Sequence, residues 1–321
     1  MSIRLPSNNK SSFKEDVTNM FGSKARSDSP MWQAFHRLTR HRSAQVGFFI
    51  LSVMLFIAIT ADWIAPYDPV TPLQNVTRRS APCVHLLGCP ADQPEHIMGI
   101  DGNNRDLFSR ILHGTRLSLQ LGVFTITFAI LVGGLLGSLA GFLGGWVDTI
   151  IMRSMDVLLA FPSLLLAIAI VTVLGSGMLN ALLAVAIVSV PVYARVVRAG
   201  VLSVKDLDYV YASRALGASD IQLLFTRVLP NALTPLIVQG TLGVATAILS
   251  GAALSFLGLG AQPPTPEWGS MLSDERSSVF NAPFLVFFPG LAIMLLVLSF
   301  NLAGDALRDA LDPRLRGTNP K

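Results

Sequence analysis

Few residues in this chain stand at spacings that support chemistry. Its 321 residues include five histidines and two cysteines. The histidines are scattered, and no H-E-x-x-H pair sets two imidazoles one helical turn apart to hold zinc. No G-x-S-x-G turn is present to expose a serine nucleophile. No G-x-x-x-x-G-K-[ST] loop is present to cradle phosphates: Gly22-Ser23-Lys24 lacks the preceding glycine, and the glycine-rich stretches lack lysine. ATP hydrolysis and acyl or metal-assisted hydrolysis are therefore not expected of this chain. Cys83 and Cys89 are too few for a thiolate metal centre. They sit together in Cys-Val-His-Leu-Leu-Gly-Cys, with Gly88 and Pro90 available for a bend. In an oxidising compartment a disulfide is expected, worth about 2 kcal/mol for so short a loop. Two free thiols are the alternative, because closeness in sequence does not ensure bridge geometry. The sequon Asn75-Val76-Thr77 is read as chance.

Two other segments carry patterns worth weighing. In Asp208–Asn231, Asp208 is positioned to cap one short helix and Gly217 to end it; Ser219 can cap a second helix expected to end near Pro230. Such a pair can be a bare connector. The small residues Ala212, Ser213 and Ala215 on one side instead suit the close approach of another protein. In Gln262–Met271, Pro263, Pro264 and Pro266 restrict the backbone. Glu267 and Trp268 are then either part of a rigid loop or a surface at the mouth of a path. Arg153 and Asp156 are spaced to pair along a helix. Tyr193, Arg195 and Arg198 are expected to anchor a span end at the headgroups rather than touch a substrate. Asp305, Arg308, Asp309 and Asp312 read as a solvated helix end. The Gly133-Gly134, Gly137 and Gly141 series suits close helix packing better than a hinge.

The elements that must position these residues follow from the gaps between charges. Only 14% of residues are charged while 51% are hydrophobic, against roughly 25% charged in soluble chains. With a mean hydropathy of +0.55, this excludes a soluble enzyme, a disordered chain and a nucleic-acid binder. Residues 43–61, 117–147, 157–194, 228–266 and 277–304 carry no charge. A span needs about 20 apolar residues, and Gly175-Ser176-Gly177 and Asn180 divide the third run. Six spans result: 44–65, 118–142, 157–175, 180–199, 235–259 and 284–304. With both termini cytoplasmic, eighteen Lys and Arg lie inside and six outside, the bias expected of an inner-membrane protein. Residues 1–30 read as a mobile cytoplasmic tail without the apolar core of a signal peptide. Trp32, Phe35 and Leu38, interleaved with Arg37, Arg40 and Arg42, suit an interfacial amphipathic helix over 31–43 better than a plain basic flank. The six-span domain proper is 44–316, with an extracytoplasmic loop at 66–116 and a further loop at 200–232; 317–321 form a short tail.

Longer patterns bear a resemblance. Tyr211-Ala212-Ser213, Gly217 and Arg227-Val228-Leu229-Pro230 resemble the E-A-A, Gly, Leu-Pro coupling motif of ABC-importer permeases. Tyr211 replaces the Glu, Ser213 the second Ala, and Arg227 a hydrophobic residue. The block from His96 to Leu119 resembles the family's H-x-x-G-T-D run, with Ile100 in place of Thr and Asn104 in place of Gly. Ala261–Leu272 and Asn301–Pro313 look like the C-type subunit of dipeptide and oligopeptide permeases. The likeness spans roughly 32–316. It implies an all-α integral-membrane subunit forming half of a translocation path, paired with a homologous permease subunit. It further implies two ATP-binding subunits, which hold the ATP and magnesium, docking on Tyr211, Ala212, Ser213, Ala215, Gly217, Leu229 and Pro230. An extracytoplasmic binding protein would deliver a dipeptide or short oligopeptide; glutathione or a metal chelate is the alternative cargo. An ion-gradient transporter is the rival class, but it predicts an inverted repeat that the sequence does not show. A membrane enzyme would need a catalytic constellation at bilayer depth, and none is visible.

Overall fold

The computed structural model describes residues 42–90 and 93–311, and among them the regular elements are all helical. The tail 1–30, most of the expected interfacial helix 31–43, Asp312 and the tail 317–321 lie outside the described residues. Five helices are long and apolar enough to cross a membrane: α1 (Arg42–Ile64), α2 (Leu107–Leu143), α5 (Met178–Val204), α9 (Thr234–Phe256) and α11 (Phe284–Leu311). Four of these overlap their expected spans within a few residues, α11 running on past the expected 304. α2 begins well before the expected 118 and has 37 residues, about 55 Å at 1.5 Å per residue. Asp106 sets that early start: its Oδ2 accepts from the Ser109 backbone N–H at 2.8 Å and the Ser109 hydroxyl at 2.7 Å.

The expected span 157–175 requires correction. The chain there forms α3 (Gly145–Leu159) and α4 (Ser163–Leu174), which meet at 94°. Pro162 sits between them in a non-helical conformation (φ −56°, ψ 126°), and its ring disfavours helical geometry at Phe161. α4 has 12 residues, about 18 Å, too short to cross a hydrocarbon core of about 30 Å alone. Taken together as one broken span, the bent pair α3–α4 brings the count to six. The break after α4 falls where Gly175 and Gly177 adopt φ of +93° and +152°. There Asn180 Nδ2 donates to the carbonyls of Leu174 and Gly175, both at 3.0 Å.

The bundle is built on α2 and α5. A Cβ at Gly133 would stand 2.7 Å from the Val190 carbonyl, one at Gly137 would overlap the Ala194 carbonyl, and one at Gly141 would stand 3.0 Å from the Arg198 carbonyl. Matching four-residue steps on both helices bring the two backbones into contact, as small residues do in lipid. α1, α9 and α11 complete the bundle, with Leu254, Leu296 and Ala61 among the buried residues. α6 (Asp208–Ala215), α7 (Asp220–Leu223), a π turn (Leu224–Val228) and α8 (Leu229–Ala232) lie between α5 and α9 at one end, together with the start of α1 and the end of α11. At the opposite end, loops 65–106 and 257–283 pack together with α10 (Trp268–Asp274) between them.

Candidate functional site: the α6–α8 segment and the cavity beside α9

α6 is capped by conformation rather than by the expected Asp208. The N-cap position is Leu207, extended at φ −80°, ψ 148° with no side-chain bond. Asp208 falls in the first helical turn instead, where its charge favours the positive end of the helix dipole. The other end closes as the sequence suggests. Gly217 has φ +89°, its N–H donates to the Arg214 carbonyl at 3.0 Å, and the Ala218 N–H donates to the Ser213 carbonyl at 3.2 Å. This pair of bonds is the Schellman arrangement that glycine permits. Ser219 then caps α7, accepting from the Gln222 N–H at 3.4 Å. The second helical run ends near Pro230 as expected, at Ala232. The π turn ahead of Pro230 gives its ring the room that an α turn would deny it.

One side of this segment is fixed and the other is open. Val210, Leu223, Leu224 and Val228 are buried in the bundle core. Tyr211, Ala212, Ala215 and Gly217 are exposed, Ser213 and Leu229 are half-buried, and Pro230 is exposed. Leu216 is 90% exposed and Ile221 74%. A groove of about 270 Å³ runs between Ser213, Gly217 and Thr226. Where the family motif has Glu, the Tyr211 hydroxyl donates to Asp206 Oδ1 at 3.2 Å within its own chain. The segment thus offers a small-residue surface anchored by its buried side chains beside the ends of two spanning helices.

Beside it, Arg198 Nε and Nη2 donate to the two carboxylate oxygens of Asp148, both at 2.6 Å, and Arg195 Nη2 donates to Asp156 at 2.6 Å. These bonds tie α3 to α5. The expected Arg153–Asp156 pair is present at 3.8 Å, but Arg153 is mostly exposed and Asp156 is held more closely by Arg195. Tyr193 corrects the expectation of a headgroup anchor: it is 2% exposed, its ring against Gly243 of α9.

At the opposite end, Cys83 and Cys89 are joined by a disulfide, with Cα atoms 5.3 Å apart. Neighbouring charges bind the loops to one another. Arg79 donates to Glu275 at 3.0 Å, the Gly102 N–H to Glu275 at 2.6 Å, and Arg110 Nη1 to the carbonyls of Pro69 and Pro264 at 2.8 and 3.1 Å. Glu267 and Trp268 lie inside this assembly, which corrects their reading as an exposed mouth. Trp268 is 0% exposed and its indole N–H donates to the Ile111 carbonyl at 3.2 Å, packed where Gly114 leaves room. Glu267 is 1% exposed and caps α10, accepting from the Ser270 N–H at 2.9 Å; burial pushes its carboxyl up from the usual range. Among the described residues, no three His, Cys, Asp or Glu are grouped to hold a metal.

A cavity of about 290 Å³ lies in the angle between α3–α4, α5 and α9. Its polar lining is Ser163, Ser189, Tyr193, Gln239, Thr246 and Ser250, and among the described residues no charged side chain lines it. Gln239, Gly243, Thr246 and Ser250 follow one another at four, three and four residues, one continuous face of α9. Sequence reasoning missed this stripe. Its signal was present, as polar residues at helical spacing inside an uncharged run.

Comparison with known proteins settles the class of the assembly. Residues 133–317 match the family model described as the binding-protein-dependent transport system inner membrane component. The chain belongs to that family. Residues 29–82 match the N-terminal TM domain of oligopeptide transport permease C. The chain is 47% identical over 290 residues to the dipeptide transport system permease protein DppC of Alkalihalophilus pseudofirmus, covering 90% of this chain and 91% of that one. It is 46% identical to the di/tripeptide permease DppC of Pseudomonas aeruginosa, covering 90% and 93%. It is 45% identical to the glutathione permease GsiD of Pectobacterium atrosepticum, covering 89% and 92%. The fold is shared with the inward-facing MetNI methionine ABC transporter, at a TM-score of 0.52 and 20% identity over 63% of this chain and 96% of that one. The chain is thus a multi-pass inner-membrane component of a bacterial transport system, a family that works with ATP-binding and substrate-binding subunits.

Proposed function

We propose that this chain is one of two membrane subunits of an ATP-driven importer of dipeptides or short oligopeptides. It pairs with a homologous permease subunit, and their spans enclose the path. Two ATP-binding subunits, which carry the ATP and magnesium, dock on the α6–α8 segment at the cytoplasmic face. A binding protein delivers the peptide at the opposite face, onto the loops stiffened by Cys83–Cys89. The chain supplies no ATPase chemistry of its own.

The observation that carries this reading is the two-sided α6–α8 segment. Its exposed small-residue face includes Ala212, Ala215 and Gly217, while Val210, Leu223 and Val228 on the other side are core residues. A push on one side therefore reaches the bundle through these buried side chains. Thermodynamically, the closed ATPase must bind the two conformations of the permease with different free energies, since equal docking shifts nothing. The anchored segment is the means by which docking energy distinguishes them.

Gly217→Val tests it. The glycine's φ of +89° is strained for a branched residue, while no neighbour stands within 4 Å of the added Cβ. The cost is confined to the bend. The variant is expected to insert normally and to lose ATP-driven uptake of a neutral dipeptide at least tenfold. Wild-type uptake at equal membrane abundance removes the segment from the coupling role. Glutathione is the second cargo reading, favoured by the 45% identity to a glutathione permease. Competition between glutathione and a dipeptide panel for ATP-dependent uptake separates the two.

A further inference from the structure

The polar stripe of α9 lies in the one setting where such a stripe is informative. α9 is an uncharged, apolar span, in which polar side chains facing lipid are costly. Gln239, Thr246 and Ser250 nevertheless share a face, and that face opens on the cavity of about 290 Å³. Thr246 satisfies its hydroxyl on its own helix, donating to the Gly243 carbonyl at 2.8 Å, and Ser189 across the cavity donates to the Val185 carbonyl at 2.7 Å. Both keep oxygen lone pairs free. Gln239 and Ser250 make no side-chain hydrogen bond among the described residues. An amide with two donors and one acceptor thus opens, unpartnered, on a cavity within a spanning bundle. Water, a passing solute or the facing subunit can satisfy it.

From Gln239 to Ser250 the stripe covers about 16 Å along the helix, beginning near the end that carries α6–α8. Between these residues stands the Tyr193–Gly243 contact, where glycine makes room for the buried tyrosine ring. Among the described residues no Asp, Glu, Lys, Arg or His lines the cavity. A peptide crossing here meets neutral donors and acceptors in succession, suited to its amide groups. It meets no fixed charge that would hold one class of side chain and repel another. We infer that the Gln239–Ser250 face of α9, with Ser189 of α5 opposite, is this subunit's wall of the peptide path, and that its neutrality makes the path tolerant of substrate charge, with Gln239 the position that sets this tolerance. The inference rests on the peptide-importer reading above and adds the residues and the selectivity rule.

The test uses the complete importer, with its partner permease, ATPases and binding protein, in proteoliposomes. Uptake of alanyl-alanine, alanyl-lysine and alanyl-glutamate is measured at saturating peptide for wild type, Gln239→Glu and Gln239→Lys. Thr246→Asp, on the same face, is read in parallel so that misassembly at one position does not decide the outcome. A unit charge met across roughly 4 Å of water changes the uptake of each charged peptide about fivefold, in opposite directions for lysine and glutamate. Gln239→Glu and Thr246→Asp are therefore expected to raise the lysine-to-glutamate uptake ratio by up to about thirtyfold, and Gln239→Lys to lower it by about as much. Gln239→Asn should keep the wild-type ratio. Ratios unchanged from wild type in the assembled charge variants overturn the inference. Absence of alanyl-alanine uptake by the wild-type complex would instead defeat the peptide reading on which it rests.

Discussion

Glu267 is a carboxylate taken out of water and received by its own helix terminus and the Ser255 side chain of α9. The Ser270 N–H donates to it at 2.9 Å, which favours the charged form, but burial outweighs this and raises its pKa. In the folded chain it therefore holds its proton at pH values where the unfolded chain has released it. Its contribution to stability is greatest below the ordinary Glu value, and is lost as pH rises through the window between that value and the folded one. Glu267→Gln keeps an acceptor for Ser270 and removes the charge. The variant should melt about 2–4 °C higher than wild type at pH 8, and the gap should close near pH 4. A difference that stays constant across this range would show that the charge is not the cause. The sequence displayed Glu267 and Trp268 beside three prolines, but not their burial. That depends on Gly114, far away in sequence, leaving space for the indole, and no local pattern records such a match. Gly217 is the opposite case, because its left-handed bend is a local backbone requirement legible from the helix stop around it.

At the scale of elements, charge-free runs located most of the spans, since the hydrocarbon core imposes one length on every crossing helix. They could not show the elbow between α3 and α4. Proline alone does not mark such a break: Pro191 and Pro289 lie inside α5 and α11, while Pro162 separates two helices at 94°. What distinguishes Pro162 is tertiary, for the elbow places α3 where Asp148 and Asp156 reach Arg198 and Arg195 of α5. The forked Asp148–Arg198 pair is the better placed of the two, with side chains 21% and 34% exposed. Bidentate geometry and partial burial should give it a coupling of about 1 kcal/mol. A double-mutant cycle of Asp148→Asn and Arg198→Gln, read by reversible unfolding in detergent, measures this directly. Strictly additive single effects would mean that the pair does not hold the elbow to α5.

For the whole molecule, the arrangement of ends bears on orientation. Arg42, Leu311 and the α6–α8 segment share one end of the bundle, and the disulfide-closed loop occupies the other. By the positive-inside tendency, the excess of Lys and Arg on segments at the first end is expected to put that end in the cytoplasm. The loop holding Cys83 and Cys89 would then face the oxidising periplasm, where a disulfide persists. In spheroplasts, a membrane-impermeant maleimide should leave both cysteines unlabelled before reduction and label both after mild reduction. Mass spectrometry of unreduced, alkylated protein should recover the two as one bridged peptide. The bridge closes a single short loop, and the larger assembly is held separately by Glu275, Arg79 and Arg110. Cys83→Ser with Cys89→Ser should therefore insert normally and reduce transport only in part. Two alkylated cysteines without reduction would refute the bridge, and labelling after reduction by a permeant reagent alone would invert the molecule in the membrane. That inversion would carry the α6–α8 segment to the periplasmic side, out of reach of any ATPase.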